Sequence, residues 1–99
     1  MVEYARKGGI MMKHIECYLN PTNGKFCTKV IIPPNQVGRM ELYVIQLLYQ
    51  YDGLLNAVYL EHDNSMHIES YFSDDAKSAE FCEIVDKAID ADNPLLLKT

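Results

Sequence analysis

Apolar and polar residues alternate from Met12 to Leu19, with Ile15, Cys17 and Leu19 on one side and His14, Glu16 and Tyr18 on the other. A period of two marks a half-buried strand. The run Asn20-Pro21-Thr22-Asn23-Gly24-Lys25 follows, and alternation resumes up to Ile32. Asn-Gly between two alternating runs predicts a hairpin, because both residues tolerate positive φ. Folding about Asn23-Gly24 sets Cys17 opposite Val30, Ile15 opposite Ile32 and Leu19 opposite Thr28. Glu16, Tyr18, Cys27, Lys29 and Ile31 fall on the other face, so Cys17 and Cys27 point apart.

Pro33-Pro34 ends this strand, since neither residue can donate to a ladder. From there the period changes to that of a helix, with Asn35 as the expected N-cap, an end near Tyr51 and Gly53 at the C-terminal glycine position. A second hairpin is expected over Leu54 to Glu61 and Met66 to Phe72, turning around Asp63-Asn64-Ser65. A three-residue loop there turns Val58 and Leu60 inward, and a two-residue loop turns Ala57 and Tyr59 inward. Ser73, followed by Asp74 and Asp75, opens a last helix that reaches about Ala91 and is stopped by Pro94.

The order ββα-ββα predicts an α+β two-layer sandwich: a four-stranded, mainly antiparallel sheet with two helices packed on one face. Tyr18-Leu19 and Tyr59-Leu60 hold similar places in the two halves. Residues 1–11 read as a flexible leader, 12–94 as a single domain and 95–99 as a C-terminal tail.

The two helices differ. The last has one apolar arc (Phe81, Ile84, Val85, Ala88, Ile89) and an opposite acidic face (Glu80, Glu83, Asp86, Asp90). The first has a core arc of Val37, Met40, Val44, Leu47 and Tyr51, plus a second strip of Leu42, Ile45 and Tyr49 about 145° away. A two-layer subunit covers only one of these arcs. Burying each large apolar side chain is worth roughly 1.5–3 kcal/mol, so the second strip predicts a partner, and a homodimer first of all. The competing expectation is that the leader or the Leu95–Leu97 tail covers it.

Composition narrows the classes. The 99 residues are 48% hydrophobic and 23% charged, as in globular domains, with length for one core. The net charge of −5 is unevenly spread: residues 1–51 carry six basic and three acidic side chains, residues 52–92 two and eleven. An acidic half suits a basic protein partner and opposes nucleic acid. No apolar run is long and continuous enough to span a membrane. Three cysteines without CxxC spacing point to a reducing, cytoplasmic setting.

Candidate chemistry is sparse. His14-Glu16 and His67-Glu69 are His-x-Glu pairs whose alternate spacing, on strands, puts all four side chains on the open face as a potential metal or small-ligand set. Tyr18 and Tyr71 share that face and suit a protein contact better than stacked bases, because Glu16 and Glu69 surround them. There is no GxSxG, P-loop or GxGxxG motif, and no cofactor is expected. The expectation is a small non-enzymatic protein-binding protein, of regulatory, inhibitor or immunity type. It would use the acidic helix face and the tyrosine-bearing sheet face. The alternative is a metal- or small-ligand-binding protein.

Overall fold

The computed structural model describes the backbone of Val2–Glu3 and residues 12–98. Most of the expected leader therefore lies outside the described residues. The elements are β1 (Val2–Glu3), β2 (Ile15–Leu19), β3 (Phe26–Ile32), α1 (Val37–Gln50), β4 (Leu54–Leu60), β5 (Met66–Phe72) and α2 (Asp75–Asp90), with 3-10 turns at Pro34–Gln36 and Pro94–Leu97. They form the expected α+β sandwich. The strands run β1-β2-β3-β5-β4, every neighbouring pair antiparallel. The fifth strand comes from residues 2–3, which were expected to be loose: Val2 pairs with Leu19 and Glu3 with Tyr18.

The inner strands of the two hairpins, β3 and β5, pair with each other through seven positions, Phe26↔Phe72 to Ile32↔Met66. On their helix side Val30, Ile32, Ile68 and Phe72 are fully buried. α1 adds Met40, Val44, Leu47 and Leu48, and α2 adds Phe81, Cys82, Val85, Ala88 and Ile89. Leu97, from the expected tail, also enters this core, so the 3-10 turn is part of the packed unit. One polar pair crosses the buried side: Thr28 Oγ1 and Ser70 Oγ lie 2.5 Å apart, each satisfying the other.

Local differences from the sequence expectations have identifiable causes. The first hairpin pairs Ile15 with Val30, Cys17 with Thr28 and Leu19 with Phe26, two positions from the expected register. Asn20 N–H bonds Lys25 O, Gly24 N–H returns to Asn20 O, and the Asn20 and Asn23 carboxamides accept from Thr22 and Lys25 N–H. These bonds widen the loop. Only Gly24 takes positive φ (+68°) there, so the two-residue turn does not form. A two-residue slip leaves every side chain on its expected face. In the second hairpin Glu61 N–H meets Ser65 O around a three-residue loop with Asn64 at φ +68°, which places Val58 and Leu60 on the helix side.

The helix ends also move slightly. Asp74, not Ser73, caps α2, its carboxylate accepting from Ala76 and Lys77 N–H. Before α1 a 3-10 turn replaces the Asn35 cap, and buried Gln36 donates through Nε2 to Ile89 O at 3.1 Å. α1 ends with Asp52 in the left-handed region (φ +59°) and Gly53 N–H on Leu48 O at 2.9 Å. Gly53 serves packing: a Cβ there would lie 2.2 Å from Leu48 Cδ1 and 2.9 Å from the Phe72 ring. α2 ends the same way at Asp92 (φ +50°) and Asn93.

Candidate functional site

α1 packs over β3 and β4, whereas α2 packs over β3 and β5. The flank of α1 bearing Arg39 and Tyr43 faces the end of α2 and the last 3-10 turn. Arg39 Nη2 reaches both Asp92 oxygens at 2.7 and 2.9 Å, and Lys98 Nζ stands 5.7 Å over the Tyr43 ring. Ile45 lies on the other flank, about 120–160° around the helix from these two residues. Between the flanks, on the outermost ridge, Leu42 is 62% and Tyr49 58% exposed. Ile45 is half-buried and packs against the core. The expected strip thus splits: one residue is covered by its own subunit and two stand clear. The last turn packs by the opposite flank, leaving Leu95 and Leu96 exposed as well.

The acidic face of α2 is partly committed to the fold. Asp86 accepts His14 N–H at 2.9 Å. Asp90 lies 3.4 Å from Lys13 Nζ and 3.6 Å from His14 Nε2, and the Lys13 ammonium holds its carboxyl below the usual range. These contacts tie the entry of β2 to α2. Glu80 sits near Tyr51, whose hydroxyl is pushed up by burial and then by that carboxylate. Glu83 is exposed, with no ion-pair partner among the described residues.

On the open sheet face the register builds rows across the strands. Tyr71, Cys27 and Tyr18 form one, and Glu69, Lys29 and Glu16 another, with Lys29 Nζ 3.8 Å from Glu16. Cys27 is buried between the half-buried tyrosines, and burial raises both its thiol and the Tyr18 hydroxyl. A thiol shifted that way is a poor nucleophile. On β4, Tyr59 packs against His67 in a tilted ring contact with centroids 5.3 Å apart and donates its hydroxyl to Glu69. That hydrogen bond, reinforced by burial, pushes the Tyr59 hydroxyl up to about 12.

The four His-x-Glu residues are not brought together. His14 precedes β2, where alternation has not yet begun, and turns to Asp90 on the helix side. Glu16 faces Lys29, and Glu69 accepts from Tyr59. Among the described residues no group of three or more His, Cys, Asp or Glu is placed to hold a metal ion. Cys17 Sγ lies 3.6 Å from Cys82 Sγ, a contact between β2 and α2 that sequence spacing did not reveal. No described helix is long and apolar enough to cross a membrane.

Sequence reasoning placed the strand β4 but missed its exposed apolar surface. Leu54, Leu55, Val58 and Leu60 are all exposed on the outermost strand. The available signal was a seven-residue run, LLNAVYL, without one charge. Compared with known proteins, the chain matches no family model, no curated protein and no solved structure.

Proposed function

We propose that this protein acts by binding other proteins, in a regulatory, inhibitor or immunity-type role, and that it self-associates through the outer ridge of α1. The observation behind this reading is the exposure of Leu42 and Tyr49 on a helix whose core face is already filled. Large apolar side chains repeated at helical spacing on an open ridge favour association over hydration. The reactive side chains support a binding role: Cys27 is buried and shifted toward the thiol, and His14 and Glu69 are held in contacts within the fold. Glu80 and Glu83 leave negative charge for a basic partner, which such a field steers more than it tightens. Three cysteines without CxxC spacing suit a reducing cytoplasm.

Sedimentation equilibrium of wild type against Leu42→Glu/Tyr49→Glu tests self-association. At high micromolar concentration, wild type is expected near twice the 11.3 kDa chain mass and the variant near that mass itself. These residues serve better than Ile45, whose core packing would confuse association with unfolding. Capture of a basic protein that weakens with salt and with Glu83→Lys tests the acidic face. A wild type that stays monomeric and retains no such protein would overturn the proposal.

A further inference from the structure

β4 is the last strand of the sheet, so one side of its main chain has no strand partner among the described residues. Exposed strand edges are usually protected by a charge, a proline, a bulge or brevity. β4 has only the bulge: it is seven residues long and carries no charged residue and no proline. Its one irregularity is the register shift between Leu55 and Ala57, after which Ala57–Leu60 pairs regularly with β5. On the helix side of that regular run Val58 is 40% and Leu60 58% exposed. The neighbouring helix is α1, whose outer ridge bears exposed Leu42 and Tyr49.

From this juxtaposition we infer that a second copy of this chain docks on β4, the two β4 strands pairing antiparallel about a two-fold axis. The inference rests on the self-association proposed above and specifies its geometry. Unpaired main-chain donors and acceptors select a strand as the occupant, and an antiparallel edge is complementary to itself under two-fold rotation. A register centred near Val58 sets Ala57 opposite Tyr59 and keeps helix-side residues with helix-side residues. No charge in the run opposes like meeting like. Along this edge Leu54, Leu55, Val58 and Leu60 are 56%, 37%, 40% and 58% exposed, an apolar strip that a second copy of the same edge would cover.

Concentration-dependent amide hydrogen exchange, read beside sedimentation equilibrium, tests this on the full chain. Slowed exchange of alternate β4 amides is expected as the mass approaches that of a dimer. Val58→Lys and Leu60→Lys should each abolish both effects while leaving the circular dichroism spectrum unchanged. Two variants guard against one of them misfolding. A dimer whose β4 amides stay unprotected, and which survives both lysines but not Leu42→Glu/Tyr49→Glu, would overturn the edge pairing and leave self-association standing. A chain monomeric at every concentration would overturn both. Protection of β4 only when an unrelated peptide strand is added would overturn the second copy as occupant.

Discussion

The two outer strands, β2 and β4, hold equivalent places in their hairpins, each paired to an inner strand of the same sheet. Their surroundings differ sharply. β2 is flanked by β1, tied to α2 through His14 and Asp86, and touches α2 again through Cys17 and Cys82. β4 has α1 above one face and nothing described beyond its edge. Ile15 on β2 is therefore 6% exposed, while Leu60 on β4 remains largely in solvent. Both strands carry apolar residues on the helix side: Ile15 and Cys17 on β2, Val58 and Leu60 on β4. Burial follows from which neighbour the fold supplies.

The same substitution at both strands breaks the comparison most directly. Ile15→Lys places a charge in the core and is expected to cost about 3 kcal/mol or more. Leu60→Lys, under dilute conditions where the monomer prevails, should stay within about 0.5 kcal/mol of wild type. Urea midpoints measure both, and equal losses would remove the distinction between a covered and an open strand.

Smaller is the effect expected at the turn where α1 enters β4. Gly53→Ala drives a Cβ into Leu48 and the Phe72 ring, and overpacking of this kind costs about 1–3 kcal/mol. A urea midpoint unchanged from wild type would show that β4 and α1 can separate without loss.

The smallest effect is alkaline. The Tyr59 hydroxyl is raised from 10.0 to about 12 by its bond to Glu69. The folded state then holds this proton more tightly than the unfolded chain does, so the contribution is complete below pH 10 and fades as pH rises toward 12. Tyr59→Phe should flatten the decline of stability across that window. An identical slope in both proteins would place the Tyr59–Glu69 bond outside the folding equilibrium.

Several features were legible because they depend on neighbours close in sequence. Period-two runs located four strands and 3.6-residue periodicity two helices. The parity of Cys17 and Cys27 set them on opposite faces, and a two-residue slip in register could not change that. Asn20 and Asn23 side chains bonding the local backbone, which widened the first loop, leave a fainter mark than the Asn-Gly pair. His14 shows the limit of alternation: one position before the strand begins, Asp86 and Asp90 govern its direction. The Leu42, Ile45 and Tyr49 strip was visible as a pattern, yet Ile45 is half-buried against the core while the other two stay exposed.

The sequence alone determined the fold class, the order of the four longer strands and two helices, and the faces of the first hairpin, because backbone periodicity and turn chemistry act over a few residues. Tertiary structure decided which strands became edges, which acids were drawn into anchoring β2, and which apolar residues stayed uncovered. Those outcomes depend on contacts between segments tens of residues apart, where hydrophobic burial is non-directional and local pattern carries no address.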